Sequence, residues 1–506
     1  MFGKTIFPRK HLFIDDFIIE EMQGLRRTLN QPEKHAGNPI MVAEKPWELA
    51  GIDMPFVVFD KEEQLFKMAY RATGPGPTGG IGDQTRNANT CYAQSADGIH
   101  WERPDLGVRE GIDGSTKNNL IILSALGIEG NAIPLQFGID PGDPDPDRRF
   151  KMFIKDQLGG KALPNYVVGV AFSPDGIHWR EHITEPYMTH NSRFGGMMNP
   201  EAKYTYIGQG GDFDGTRKIK RMESNDFIQW SGAWTVIDRD LNDPPGTQFY
   251  GMFTDPVCSH TYAGLRFGLL QIYHTPPYGE NRPHPFRYSS FPDIIDAELA
   301  VSRDSIRWLR AGERQTFLPC GPEGSWDAGM VFSSYPLFRE DKIFIFYGGN
   351  DYPHYGPPKG KSARRSGIGL ATLRKDGFVS VECDGSKPGW LMTRSFYPIH
   401  ARQSNDLRAE AYCVKTSAIA VNADAKDGEL RAELLDHQGS VVPGHSVEDS
   451  DPIREDVFDG KLSWNGETDI SGLRDQLEDK ADSDQKFRLR FHLSGKTKFY
   501  SFELLE

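Results

Sequence analysis

"SADGIHW" (95–101) and "SPDGIHW" (173–179) are near-copies, and looser copies return as "SNDFIQW" (224–230) and "SRDSIRW" (302–308). The shared frame is Ser-x-Asp-x-x-x-Trp, with its tryptophans at Trp101, Trp179, Trp230 and Trp308. A frame that returns at wide spacing marks a returning structural unit. Ser and Asp side chains accept hydrogen bonds from the amides of a tight turn. The Trp supplies a large apolar wedge to set between neighbouring units. The heptapeptide therefore reads as a structural turn and not as a catalytic motif.

Upstream of each Trp lie short strand-like runs bounded by turn residues. They are "MPFVVFD" (54–60), "QLFKMAYRA" (64–72) and "NTCYAQS" (89–95) in the first unit, and "IPLQFGID" (133–140), "RRFKMFIKD" (148–156) and "NYVVGVAFS" (165–173) in the second. The third has "KYTYIGQ" and "RKIKRMES"; the fourth has "QFYGMF", "LRFGLLQIYH" and "AELAVS". A fifth, without the Trp frame, has "GMVFSSYPLF", "KIFIFYGG", "GIGLATL" and, as its last strand, "DGFVSVE" (376–382). Three strands, a turn and a fourth strand make an antiparallel unit. Five of them predict an all-β chain built on a five-bladed β-propeller. Beyond about residue 388 the repeat stops. Runs such as "ELRAELLDHQG" and "KFRLRFHLSG" alternate apolar and polar residues between turns, the pattern of a β-sandwich. The expected division is 1–45 as a lead-in packing on the propeller, 46–387 as the propeller and 388–506 as a C-terminal β-sandwich. "HLFIDDFIIEE" in the lead-in is expected to add a strand.

Composition narrows the function. The 506 residues are 38% hydrophobic and 25% charged, ordinary for a globular protein, with 53 Gly and 34 Pro to serve many turns. The net charge of −13 opposes a polyphosphate partner, so no nucleic acid is expected. No apolar run approaches the ~20 residues of a membrane helix. The N-terminus lacks an apolar core followed by a cleavage site. A cytoplasmic protein is expected, or a secreted or periplasmic one whose signal has been removed. Self-association into a homo-oligomer stays open. The five cysteines (91, 258, 320, 383 and 413) form no metal spacing, and they read as reduced thiols. No metal and no cofactor is expected: "DPGDPDPDRRF" (140–150) reads as an acidic hairpin loop, and "DFDG" lacks the rest of a calcium loop. "GPGPTGGIG" has no Gly-Lys-Ser/Thr and is not a phosphate loop.

The Ser-x-Asp turns, five units and trailing sandwich resemble the glycoside hydrolase group that holds families 32, 43 and 68. The lead-in "PEKHAGNPI" (32–40) resembles the His-x-x-Asn-Pro opening of family 130 and its relatives. "ELAVSRDSIRW" and "GSWDAGMVF" resemble segments of uncharacterised bacterial family 32-like proteins. The chain lacks the Asn-Asp-Pro-Asn-Gly, Arg-Asp-Pro and Glu-Cys motifs of family 32. The resemblance implies a glycosidase of furanoside (fructosyl or arabinosyl) or related linkages.

Such enzymes use two carboxyl groups, one protonating the leaving oxygen and one acting as base or nucleophile. Propeller glycosidases place them where innermost strands begin. Asp53, directly before "MPFVVFD", is the expected base or nucleophile. Asp327 in "GSWDAGMVF" and Glu298 in "DAELAVS" compete for the acid or an orienting role, and Asp255 in "YGMFTDP" is a fourth candidate. The second unit offers only Glu129, loosely. Asp53 and Asp327 read equally well as turn acids, Glu298 as the partner of an Arg, and Asp255 as a pre-proline turn residue. Arg71, Tyr250, Asp351 and His354 are expected to bind substrate, with His190, Asn191 and Arg193 of "THNSRF" as further sugar hydroxyl ligands. A glycoside phosphorylase, which needs Arg, Lys and His beside the acid, and a non-catalytic glycan-binding propeller are the alternatives. The fold alone does not choose among them.

Overall fold

The four Ser-x-Asp frames each close a strand, and they do so with the same bonds. The computed structural model describes residues 8–74, 88–111, 114–122, 132–156, 167–182, 199, 202–211, 216–274, 294–354, 365–385, 387–396, 416–473, 477 and 486–506. In the first turn, Asp97 Oδ1 accepts from the amides of Ile99 and His100, both at 2.8 Å, and Ser95 Oγ accepts from Gly98 at 2.8 Å. Trp101 donates its indole N–H to the Gly98 carbonyl at 3.0 Å. Asp175, Asp226 and Asp304 repeat the amide bonds; Trp179, Trp230 and Trp308 repeat the indole bond. The residue three after the Ser has a positive φ in every copy. It is Gly98 (+77°) and Gly176 (+84°) in the two close copies, and Phe227 (+61°) and Ser305 (+58°) in the looser ones. Glycine is thus kept where the backbone is left-handed, and the looser copies accept strain at that point.

The turns punctuate five successive groups of antiparallel strands, the first to fifth sheets, of which the fourth and fifth are joined into one by a parallel pairing of Ile295 with Met330. The first comprises Gly51–Asp60, Leu65–Thr73, Ala88–Ser95 and Leu120–Ile122. The second comprises Ala132–Ile139, Phe150–Asp156, Val167–Ser173 and Arg180–His182, and the third comprises Tyr204–Gly211, Arg217–Ser224 and Trp234–Ile237. The fourth runs Thr247–Phe253, Arg266–His274 and Ile295–Ser302, with short outer strands at Leu309–Arg310 and Thr316–Leu318. The fifth runs Met330–Ser333, Lys342–Asn350 and Ser366–Arg374. Among the described residues, regular structure is strand apart from three single-turn 3₁₀ segments and the helical residues Leu473 and Leu477. No helix among them is long and apolar enough to cross a membrane.

Each sheet packs on the next, and the last packs on the first. Separate apolar cores fill the seams between the first and second, second and third, third and fourth, and fourth and fifth sheets. A fifth core joins Met68, Tyr70 and Ala93 of the first sheet to Phe346, Ile368 and Leu370 of the fifth. The four tryptophans lie in these seams. Trp101 meets Phe346 of the fifth sheet edge-on at 5.7 Å, and Trp230 meets Phe153 of the second at 4.8 Å. Across the middle, Phe56 of the first sheet and Phe253 of the fourth touch edge to face at 4.9 Å. The Tyr335 hydroxyl donates to the Phe137 carbonyl of the second sheet. These contacts hold non-adjacent groups against one another.

Two further sheets enclose another core, which includes Val381, Leu430, Phe491 and Phe502. One contains Ala418–Asp424, Asp456–Lys461 and Lys498–Leu505; the other contains Gly428–Asp436 and Phe487–Gly495. The lead-in enters both: Lys10–Leu12 pairs with Lys498–Leu505, and Ile19–Gln23 pairs with Gly389–Thr393. "DGFVSVE" does not close the fifth sheet as its pattern suggested. Val379–Cys383 pairs with Leu25–Leu29 and, through Val381, with Phe499. The outer positions of the fifth sheet are taken by Glu33–Lys34 and Met41–Val42. The cause is the turn at Asp376, whose φ is +65°. Its buried carboxylate accepts from Tyr262 (2.5 Å), Ser501 (2.6 Å), Asn422 (3.1 Å) and Lys10 (3.2 Å). Those bonds carry the chain out of the fifth sheet.

Candidate active site

Three of the strands that open these groups slip in register. The register slips between Asp53 and Phe56, between Pro134 and Gln136, and between Phe249 and Gly251. In the first of these, Met54 takes a φ of +50°. A bulge re-aims side chains next to it and is common beside active sites. Here the bulges lie beside Asp53, near the start of its strand, and beside Tyr250, midway along its own.

Asp53 is 6% exposed and lies directly across the ladder from Arg71. Both carboxylate oxygens accept from the guanidinium: Nε donates to Oδ1 at 2.5 Å, and Nη2 donates to Oδ2. Burial alone would lower the Arg71 pKa. The Asp53 charge, with a smaller contribution from Tyr250, outweighs it and holds the group above its ordinary value. Tyr250, from the fourth group, packs on Phe332, which lies across the ladder from Gly348, the residue that Asp53 sits against. The Tyr250 hydroxyl lies 2.7 Å from His354 Nε2, and its ring packs on Tyr273 and Phe332. Three of the expected site residues, Arg71, Tyr250 and His354, are therefore gathered with Asp53 at one rim, from the first, fourth and fifth sheets.

Asp327 shares this rim but not this side. A β-carbon built on Gly348 would stand 2.9 Å from the Asp53 β-carbon, and one on Gly349 would stand 2.7 Å from that of Asp327. Successive residues of a strand face opposite sides. Strand Lys342–Asn350 therefore stands between the two acids. Asp327, 3% exposed, is held by Lys34 Nζ (2.6 Å), Ser325 Oγ (2.9 Å) and the Tyr347 hydroxyl (3.1 Å). Asn38 of the lead-in donates to that same hydroxyl at 3.2 Å.

The other acids sit elsewhere. Glu298 is in a middle strand, gripped by Arg310 Nε at 2.7 Å and Nη2 at 2.8 Å; Arg310 also holds Asp243. Burial pushes the Glu298 pKa up, against the pull of Arg310. Asp255 follows the end of Thr247–Phe253, so it lies at the opposite rim from Asp53. It accepts from the Val257 amide and meets His260 Nδ1 at 2.9 Å. Asp351 accepts from Arg365, at Nε 3.0 Å and at the amide 2.9 Å. Glu129, His190, Asn191 and Arg193 lie outside the described residues.

Two rim residues escaped the sequence reading. Arg217 opens strand Arg217–Ser224, donates to Gln248 Oε1 and lies over the Tyr250 and Tyr273 rings. Asn350, 1% exposed, is on the Gly348 side of its strand, and neither amide atom has a hydrogen-bond partner among the described residues. Nothing local marks either one, since partners from distant strands define them. What the rim can do chemically is offer one carboxylate, two guanidiniums, an imidazole and aromatic faces to a polar ligand.

No family model and no curated protein matches the chain. Solved structures do. The structures it resembles are glycoside hydrolases. A Bombyx mori family 32 β-fructofuranosidase aligns at TM-score 0.39 and 12% identity, over 94% of this chain and 95% of that one. A thermostable family 43 glycoside hydrolase aligns at 0.36 and 15%, over 65% and 92%. The α-L-arabinofuranosidase from Podospora anserina, solved with cellotriose, aligns at 0.37 and 11%, over 68% and 97%. With every TM-score under 0.5, none of these likenesses carries the reading of the site, which rests on the geometry above.

Proposed function

We propose that the five groups are the blades of a five-bladed β-propeller running from about residue 46 to Arg374, with Glu33–Lys34 and Met41–Val42 on its last blade, and that Val379–Cys383 joins residues 10–29 and 388–506 in a β-sandwich. On this reading the rim bearing Asp53 is the mouth of a funnel whose floor is the Phe56–Phe253 contact. The chain is a glycoside hydrolase or transglycosidase acting on a furanoside-type or related glycan linkage. Asp53 is its base or nucleophile, and Arg71 holds that carboxylate in place and binds substrate. Asp327 takes the orienting role, fixing Tyr347 and Lys34 on the far side of the strand that Asp53 touches. Tyr250, His354 and Asn350 bind sugar through a ring face and polar atoms. The observation that carries this is that the Asp53–Arg71 pair and the Tyr250–His354 pair, from widely separated strands, lie at the same end of strand Lys342–Asn350 and its neighbour.

The test is a panel of aryl glycosides and oligosaccharides with product analysis, run on the wild type and on Asp53→Asn. Release of a furanose by the wild type and its loss in the variant is the expected result. Saturable binding with no product from any glycan would leave a lectin-like propeller instead. One observation favours a second reading, a glycoside phosphorylase: Arg71, Arg217 and His354 gather near one acid, as an enzyme that admits phosphate in place of water requires. Turnover that rises with inorganic phosphate and yields a sugar phosphate would select it.

A further inference from the structure

One cation at the rim has no anion to meet among the described residues. Arg71 is matched by Asp53, Arg221 by Glu223, Arg310 by Glu298 and Asp243, and Arg365 by Asp351. Arg217 meets no carboxylate among the described residues, and the side chain it donates to is the neutral Gln248 amide. Its guanidinium carbon lies 5.3 Å from the centre of the Tyr250 ring and 5.8 Å from that of Tyr273. Two aromatic faces thus hold the fork in place without neutralising it. The chain as a whole carries −13, so this is not a sample of a generally basic surface. Tyr250 ties the position to His354 directly and to Asp53 through Phe332 and Gly348.

We propose that Arg217 receives an oxyanion borne by the glycan, so that the sugar unit lying against Tyr250 is a uronic acid. The inference rests on the glycosidase reading of this rim and adds the charge of its substrate. A guanidinium offers parallel N–H donors whose spacing fits the two oxygens of a carboxylate. Inorganic phosphate shares that chemistry, and the measurement separates the two.

Calorimetric titration of the full chain at low salt near pH 7 would use galacturonic and glucuronic acids, their methyl esters and inorganic phosphate. Wild type should bind at least one acid roughly tenfold or more tightly than its ester, the margin of a charge-assisted bond. Arg217→Gln should bind acid and ester alike, and Arg217→Lys should retain part of the preference. An arginine with a merely structural role would weaken both ligands together. Equal or undetectable binding of acids and esters by wild type overturns the proposal, with no variant needed. Binding of phosphate alone, lost in Arg217→Gln, also overturns it and turns the arginine over to phosphorolysis. Acid-selective binding without turnover of any acidic glycan upholds the anion site and removes the glycosidase reading. Turnover of neutral furanosides at equal kcat/KM in wild type and Arg217→Gln does the reverse.

Discussion

Replacing Asp53 with Asn should do two separable things. The first is electrostatic. The Asp53 and Arg71 side chains are 8% and 28% exposed, so the pair is largely withdrawn from water. Removing one member of a buried pair costs about 3–5 kcal/mol, because the other charge is left stranded. Arg71 keeps some solvent, which reduces the expected loss to about 2–3 kcal/mol. The second effect is chemical: loss of a positioned base lowers turnover by about 10²–10⁴-fold. The double variant Asp53→Asn/Arg71→Met separates them, since the stranded charge is gone. Thermal unfolding should place it near wild type, with Asp53→Asn a few degrees below. Turnover of the double variant, set against Arg71→Met alone, then isolates the carboxylate. Equal turnover in those two proteins would show that Asp53 does no chemistry and serves only to hold Arg71. An Asp53→Asn protein as stable as wild type would refute the electrostatic half.

His11 is 2% exposed and stacks on Phe502 at 4.9 Å; burial first, then the Arg303 charge, depresses its pKa to about 3. The folded protein therefore holds it neutral while the unfolded chain protonates it near 6.5. Its contribution is complete above that pH and is lost as pH falls toward 3, at about 1.4 kcal/mol per unit. Urea unfolding at pH 6.5 and 4.5 should show wild type losing about 2–3 kcal/mol relative to His11→Phe, and parallel losses would contradict the assignment. Gly349→Ala should cost about 1–3 kcal/mol, since its methyl would overlap the Trp326 ring and crowd the Asp327 β-carbon. A melting point unchanged by Gly349→Ala would mean that Asp327 and Trp326 are not packed against that strand.

What could be read in advance was local. The Ser-x-Asp turns were legible because donor and acceptor lie within a few residues, as the bonds of Asp97 and Trp101 show. The place of Asp53 near the start of its strand was legible because it precedes an apolar run. The same direction rule, applied to Asp255, would have sent it to the other rim, because it follows its run. Glu298 drew attention as an acid in an apolar strand, but Arg310, across the hairpin, accounts for it. Arg217 and the separation of Asp53 from Asp327 could not be read at all. One depends on which partners are lacking, the other on a strand from elsewhere in the chain.

The earliest segment of the chain finds its partners among the latest. Lys10–Leu12 pairs with Lys498–Leu505, and Met41–Val42 pairs with Ser366–Arg374. During synthesis Met41–Val42 has no such partner until Ser366–Arg374 has been made, and Lys10–Leu12 none until Lys498–Leu505 has. Such distant pairings slow folding and leave bare edges in the interim. A nascent chain of this kind depends on protection from aggregation until its final residues arrive. Shortening either terminus by a dozen residues would therefore damage the far end of the molecule as much as the near one.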